Sequence, residues 1–127
     1  MDSRLNMIRA ATQVAETAGP PVAHDADTLS VLQRWMATVS GKWCIPILDR
    51  LAERPARYNS LLAGLDSVAP KVLTQTLRRL EGEGFVRSQR VGRTGMMYCL
   101  TDRGAELRAQ ISPLRRWAAE QLAVADI

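Results

Sequence analysis

Four polar side chains fall on one side of a short segment that follows Pro70. Lys71, Thr74, Gln75 and Arg78 lie three, one and three positions apart, which at about 100° per residue groups them on one side of an α-helix. Amide, hydroxyl and cationic groups bond to base edges and phosphates in a DNA major groove. The segment therefore predicts a helix face that contacts DNA, with an ordinary solvated polar face as the alternative.

The positive charge of the chain is concentrated in the same region. The 127-residue sequence has a formal net charge of +4, and residues 71–93 contain six cations and two anions, whereas the remainder contains eleven of each. This distribution is typical of a phosphate-facing surface. Arg79, Arg90 and Arg93 are further predicted DNA contacts. The alternatives are a local pair with Glu83 for Arg79 and simple solvent exposure for the other two.

A helix with an apolar stripe must position these side chains. Leu73, Leu77 and Leu80 recur at spacings of four and three, which predicts one buried helix face. Pro70 suits the first helical position, and Gly84 is the predicted left-handed residue after the last turn. With a brief helix over residues 58–65, this segment forms a helix-turn-helix.

Two strands follow the glycine and form a hairpin, or wing. Residues 85–91 and 96–100 have strand composition, and residues 92–95 form the turn. A short strand before residue 58 is a further option.

The remaining segments predict further helices. One helix lies between Ser3 and Gly19, a second carries Leu29 and Met36, and a third runs from about residue 42 to 53. Because Pro46 disrupts a helix interior, the third helix either begins near Cys44 or bends in its first turn. The fold class is mainly α with a small β-hairpin (α+β). Residues 1–27 form a helical arm and linker, and residues 28–124 form a winged helix-turn-helix domain with its C-terminal helix.

The last predicted helix, capped by Thr101, has the spacing of a self-pairing seam. Leu107, Ile111 and Leu114 recur at intervals of four and three residues. Trp117 adds a large apolar surface that a small domain can bury only with difficulty. These residues predict a homodimer.

Composition excludes several classes of function. The hydrophobic content of 46% and the charged content of 24% are those of a soluble globular protein. No secretion signal or membrane-spanning stretch is present, so we expect a cytoplasmic protein. Cys44 and Cys99 lie 55 positions apart and His24 is the sole histidine, which gives no metal-binding or catalytic pattern. The sequence predicts no enzyme, no metal and no cofactor.

Several motifs together resemble the HxlR-type winged helix-turn-helix transcription factors. They are Gly41-Lys42-Trp43, Arg57-Tyr58, Pro70-Lys71-Val72-Leu73-Thr74-Gln75-Thr76-Leu77, Leu80-Glu81, Gly84, Tyr98 and Leu100-Thr101-Asp102-Arg103-Gly104. The resemblance covers about residues 28–122. It implies a prokaryotic homodimer that binds double-stranded DNA at a pseudo-palindromic operator. It also implies dimerisation through the C-terminal helix and through Leu29, Leu32 and Met36 of the first body helix.

Three positions depart from the family pattern. Members often carry a cysteine upstream of the Gly-Lys-Trp motif, where this chain has His24-Asp25, so redox sensing by that thiol is not carried over. Ala69 replaces the usual capping serine and forgoes roughly 1 kcal/mol of helix capping. The wing reads Arg-Thr-Gly-Met-Met-Tyr from Arg93 to Tyr98 instead of Pro-Pro-Arg-Val-Glu-Tyr.

The function predicted from these observations is sequence-specific regulation of transcription, with a small-molecule effector as a further hypothesis. Trp35, Trp43, Cys44 and Met96 are candidates for lining an effector pocket, with core packing, which explains most aromatic and methionine positions, as the alternative. One alternative function is a winged-helix scaffold for protein interaction. Another is a thiol-based redox sensor that uses Cys44.

Overall fold

The computed structural model describes residues 26–93 and 95–125. The predicted helix between Ser3 and Gly19 lies outside the described residues, as does His24. In chain order the elements are helices α1 (Ala26–Val39) and α2 (Cys44–Glu53), strand β1 (Ala56–Arg57), helices α3 (Tyr58–Gly64) and α4 (Pro70–Gly82), strands β2 (Val86–Val91) and β3 (Gly95–Leu100), and helix α5 (Asp102–Ala125). This order confirms the predicted winged helix-turn-helix.

Contacts between residues divide the chain into a unit that ends at Trp35, inside α1, and a unit that begins at Met36. In the described part of the first unit, Leu29 and Leu32 are each about half exposed. The second unit contains helices α2 to α5 and the whole sheet. The buried apolar residues of the described chain lie between Cys44 and Val86, in this second unit.

The core of the second unit is formed mainly by aliphatic side chains of three helices. Its fully or almost fully buried members are Ile47, Leu48 and Leu51 of α2, Leu61 of α3, and Leu73, Leu77 and Leu80 of α4. Full burial of each such side chain contributes about 1.5–3 kcal/mol relative to exposure. The predicted leucine stripe is therefore the surface by which α4 docks.

The start of α2 resolves the question raised by Pro46. The helix begins at Cys44, so Pro46 is its third residue. A backbone N–H group at that position would have no hydrogen-bond partner inside the helix. Proline, which lacks the N–H group, therefore removes no helical hydrogen bond there and costs little stability.

The two ends of α4 also match the sequence. Ala69 precedes Pro70 at the capping position, and because its methyl group cannot accept a hydrogen bond, the start of α4 has no side-chain cap. At the other end Gly84 has a φ of +83°, and the amide of Phe85 donates to the carbonyl of Leu80 at 2.9 Å. This arrangement is a Schellman motif, which needs the left-handed conformation that glycine adopts at low cost.

The hairpin belongs to a three-stranded antiparallel sheet with the order β1-β3-β2. Strand β1 is the short strand that the sequence left optional, and it pairs Ala56 with Tyr98 and Arg57 with Met97. Within the hairpin, Arg90 lies opposite Met96. Three residues, 92–94, therefore connect the two strands of the wing.

Helix α5 is joined to its neighbours by polar contacts. The amide of Gly104 donates to the hydroxyl of Thr101 at 3.0 Å, which confirms the predicted cap, and this hydroxyl donates to the carbonyl of Gly84 at 2.6 Å. Further along, Arg108 and Arg115 each donate to a different carboxylate oxygen of Asp49 in α2, both at 2.9 Å. Their separation of two helical turns places both arginines on one side of α5.

The Asp49 contacts predict a pH-dependent stability. Partial burial acts to raise the pKa of Asp49, but hydrogen bonds and charge from Arg115 and Arg108 outweigh it and lower that pKa. A carboxyl group with a lowered pKa in the folded state stabilises at neutral pH, and this contribution is lost as the pH falls through that pKa. We expect Asp49→Asn to lower the free energy of unfolding by about 1 kcal/mol at neutral pH, the size typical of partly exposed pairs.

The measurement is urea unfolding of both proteins over a series of pH values from neutral down to about 3, below the ordinary range of an aspartate. The difference between wild type and variant should shrink over this range. Glu53→Gln, which removes the same charge from an exposed position on the same helix, serves as the control. A difference that stayed constant over the whole range would contradict the assignment.

Candidate nucleic-acid interface

The outward side of α4 carries most of the residues predicted to contact DNA. Lys71, Gln75, Arg78 and Arg79 are all exposed, while the leucines on the opposite side are buried. The helix therefore presents one amide and three cationic groups to solvent, while its apolar side fixes its orientation. We refer to α4 as the recognition helix.

Thr74 differs from the other predicted contacts because it is only partly exposed. Its hydroxyl lies 3.1 Å from the hydroxyl of Tyr58, which itself donates to the carbonyl of Pro70 at 3.0 Å. Since a tyrosine has one hydroxyl proton, Thr74 is the donor in the first of these bonds. Tyr58 thus joins the start of α3 to the first turns of the recognition helix, a link between distant positions that no local sequence pattern indicates.

The recognition helix also exposes an apolar residue that the sequence reasoning overlooked. Val72 has 39% of its surface exposed. An apolar side chain beside base-reading groups can contact the methyl group of thymine. The signal was available, since Val72 falls outside the leucine stripe of an otherwise polar helix.

The wing presents the remaining predicted contacts. Arg90 and Arg93 are exposed, at the end of β2 and in the connecting loop. Gly92, with a φ of +70°, allows the chain to turn there. The two arginines therefore lie at the part of the hairpin farthest from the core.

An open cleft of about 380 Å³ lies beside strand β3 of the wing. Its lining residues are Arg57, Tyr58, Asn59, Gly95, Met96 and Tyr98. Burial raises the pKa of Tyr98, and Glu81 of the recognition helix and Tyr58 add to this effect, against an opposing contribution from Arg78. The cleft is therefore electrostatically coupled to the recognition helix.

One of the four residues predicted to line an effector pocket lies at this cleft. Met96 lines the cleft, but Trp43 and Cys44 do not. Cys44 has no exposed surface, and Trp43 is partly exposed under the side chain of Lys42, whose ammonium lies 5.1 Å from the indole centre. Trp35 belongs to the first unit.

The residues proposed for dimerisation expose substantial apolar surface. In α5, Leu107 and Ile111 are partly buried, whereas Leu114 and Trp117 have 59% and 58% of their surface exposed. Met36, at the start of the second unit, is 57% exposed. Exposure of large apolar side chains along one helix is typical of a surface that another protein covers.

The described residues show neither a membrane-spanning helix nor a metal cluster. Within residues 26–93 and 95–125, no helix combines the length and the hydropathy that a bilayer crossing requires. In the same part of the chain, histidine, cysteine and acidic side chains do not gather in groups of three that could bind a metal ion.

A helix-turn-helix with an outward-facing cationic recognition helix and an adjacent wing defines a class of DNA-binding transcriptional regulators. The family model of HxlR-like helix-turn-helix proteins matches residues 38–126. The chain belongs to this family, as the motifs in its sequence predicted. It is a transcriptional regulator of the helix-turn-helix type.

Individual relatives agree with this assignment. The HTH-type transcriptional regulator YvaP of Bacillus subtilis is 30% identical over 84 residues, which cover 65% of this chain and 78% of YvaP. The HTH-type transcriptional regulator YtfH of Escherichia coli is 31% identical over 94 residues, which cover 69% of this chain and 75% of YtfH. These relatives are prokaryotic, as expected.

Solved structures share the fold. A transcriptional regulator of the MarR family from Enterococcus faecalis V583 has a TM-score of 0.69 and 28% identity, covering 85% of this chain and 97% of its own. The reduced form of the redox regulator HypR has a TM-score of 0.66 and 22% identity, covering 75% of this chain and 96% of its own. At that identity the likeness to HypR concerns the fold alone.

The environment of Cys44 predicts a thiol that does not react in the folded protein. Burial raises the pKa of Cys44 to about 11. At pH 8 only about one molecule in a thousand would then carry the reactive thiolate at this position. We expect iodoacetamide to modify Cys99, which is partly exposed, well before Cys44.

Peptide mass spectrometry after timed alkylation measures both rates in one sample, and alkylation in urea provides the control, because unfolding should bring the two rates together. Modification of Cys44 at the rate of Cys99 in the native protein would refute this prediction.

Proposed function

We propose that this chain is a sequence-specific regulator of transcription that binds a pseudo-palindromic operator as a homodimer. As a regulator of prokaryotic genes it would act in the cytoplasm, where the chromosome lies. The observation that carries the proposal is the pairing of a docked leucine stripe with an exposed face of Lys71, Gln75 and Arg78. That face lies in the segment that holds the whole net charge of the chain.

The exposed side chains suggest a division of labour. Gln75 can bond to adenine through two hydrogen bonds and Arg78 to guanine in the same way, each discriminating against a wrong base by about 1–3 kcal/mol. Lys71, Arg79, Arg90 and Arg93 would bind phosphates, which position the protein without reading sequence. Thr74, whose only hydroxyl proton is donated to Tyr58, would support the helix, and it would have to give up that bond in order to donate to a phosphate.

A homodimer would place two recognition helices in successive major grooves. Half-sites read in this way lie about 34 Å apart, one turn of B-form DNA. The exposed apolar residues of α5, above all Leu114 and Trp117, support self-association through this helix. Leu29, Leu32 and Met36 of α1 are proposed as a second contribution. An effector or partner would act by changing the distance between the two recognition helices.

Neither alternative function is favoured by a specific observation. A protein scaffold would not need the concentration of cations on and beside the recognition helix. A redox sensor based on Cys44 would need an accessible thiolate, and this thiol is fully buried with a raised pKa.

Selection of bound duplexes from a random pool tests the proposal and supplies an operator. Wild-type protein should prefer the selected duplex, and its binding to any duplex should weaken steeply as salt rises. Gln75→Ala should lose about 2–6 kcal/mol on the selected duplex, because a dimer loses two base contacts of about 1–3 kcal/mol each, and much less on an unrelated duplex, because no charge is removed. Fluorescence anisotropy at several salt concentrations measures both quantities.

Lys71→Gln provides the matched comparison on the same helix, since loss of a phosphate contact should weaken binding to all duplexes alike. If Gln75→Ala weakened all duplexes equally, Gln75 would not read bases. If the wild-type protein ignored DNA even at low salt, the scaffold function would take the place of this proposal.

The dimer interface predicts the effect of a charge on α5. Two-fold symmetry would place Leu114→Glu in the interface twice, so we expect association to weaken by about 3 kcal/mol or more, roughly a hundredfold in dissociation constant. Analytical ultracentrifugation over a range of concentrations measures the change.

Ala109→Glu is the control, because Ala109 is exposed and helical periodicity places it on the far side of α5 from Leu114. A wild-type protein that sediments as a monomer at all concentrations would refute the dimer, as would equal effects of the two substitutions.

A further inference from the structure

The open cleft beside the wing owes its shape to the shortness of strand β1. This strand ends at Arg57, opposite Met97, and the chain turns at once into α3. The preceding residues of β3, Gly95 and Met96, continue past the end of β1 and form one wall of the cleft, while Arg57, Tyr58 and Asn59 form the other. The backbone of β3 beyond the end of β1 and the cationic side chain of Arg57 thus line the same cleft.

The guanidinium of Arg57 lies close against the backbone of β3. A Cβ atom built on Gly95 would be 3.2 Å from Nη1 of Arg57, so a side chain at this position would push the guanidinium away by a few tenths of an ångström. Among residues 26–93 and 95–125, Arg57 forms no ion pair and no side-chain hydrogen bond, and it is exposed. A guanidinium has five N–H donors in a fork that matches the oxygens of a phosphate.

The cleft lies between the start of α3, which is bonded to the recognition helix, and strand β3 of the wing. On one side, the hydroxyl of Tyr58 bonds to Pro70 and Thr74 in the first turns of the helix. On the other side, Gly95 directly follows the loop of the wing, and Met96 pairs with Arg90 across the hairpin. A ligand in the cleft would therefore touch the wing and, through Tyr58, a residue that is bonded directly to the recognition helix.

The geometry of B-form DNA identifies that ligand. A sugar-phosphate strand separates each major groove from the neighbouring minor groove. If the recognition helix occupies the major groove and the wing lies at the next groove, this strand must pass between them. We propose that the cleft binds a backbone phosphate of the operator, with the guanidinium of Arg57 as its principal donor and the side-chain amide of Asn59 as a second donor.

This inference rests on the proposed function and extends it to residues outside the cationic segment of the sequence. Arg57 precedes that segment by more than ten positions, so a count of charge along the chain does not include it. The contact would be to the backbone alone and would strengthen binding to every duplex. It would also fix the distance between helix and wing on the DNA.

The salt dependence of binding by Arg57→Gln tests this role. Each phosphate contact that is lost makes the slope of log K against log salt concentration shallower by about 0.9, and a dimer loses two such contacts. When salt rises from about 50 to 200 mM, the factor by which the affinity falls should therefore be about tenfold smaller for the variant than for wild type. The change should be the same on a selected operator and on an unrelated duplex. Thermal unfolding of the unbound protein checks that the variant is folded.

Arg54→Gln is the matched control, since Arg54 is an exposed arginine three positions earlier that does not line the cleft. It should leave the slope close to that of wild type. Arg57→Lys should retain most of the slope, because the charge remains, while some affinity is lost with the fork of donors.

An unchanged slope in Arg57→Gln, or equal changes in Arg57→Gln and Arg54→Gln, would overturn the phosphate site while leaving the proposed function intact. A loss confined to the operator duplex would also overturn it, because a backbone contact cannot distinguish sequences. Failure of the wild-type protein to bind any duplex would instead overturn the proposed function and this inference together.

Discussion

The contact of Leu73, Leu77 and Leu80 with the core determines what the recognition helix presents to the outside. These three side chains have almost no exposed surface. A rotation of the helix by one residue in either direction would bring an arginine, Arg78 or Arg79, into the core and would expose leucine, and both changes carry a large free-energy cost. The direction of Gln75 and Arg78 is therefore set by apolar packing on the opposite side of the same helix.

Polar contacts hold the two ends of the recognition helix to its neighbours. The hydroxyl of Tyr58 bonds to the first turns of this helix. The carbonyl of Gly84, just beyond its last turn, accepts a hydrogen bond from the hydroxyl of Thr101 at the start of α5. Helix α5 is in turn joined to α2 by the ion pairs of Asp49. These contacts restrict movement of the recognition helix relative to its neighbours. A displacement of α5 would reach the recognition helix through these same bonds.

Local sequence patterns predicted the helices and strands, but they did not predict the contacts between residues that are distant in the sequence. Helical spacing identified the leucine stripe, and Gly84 and Thr101 marked helix ends, because these signals depend on neighbours within one or two turns. Tyr58, by contrast, bonds to residues 12 and 16 positions away, and β1 pairs with a strand some 40 positions later. The cleft is formed by residues that are distant in the sequence, so the local Arg57-Tyr58 motif does not by itself predict a role for either residue.

Helix α5 is anchored unevenly along its length. Its first half contacts the sheet and α2, and Arg115 makes the last of its ion pairs, whereas every residue from Ser112 to Ala125 is exposed. A helical segment with few tertiary contacts is only marginally stable in water. In the proposed homodimer, the folding of the part of α5 beyond Arg115 would therefore be coupled to the association of the two chains.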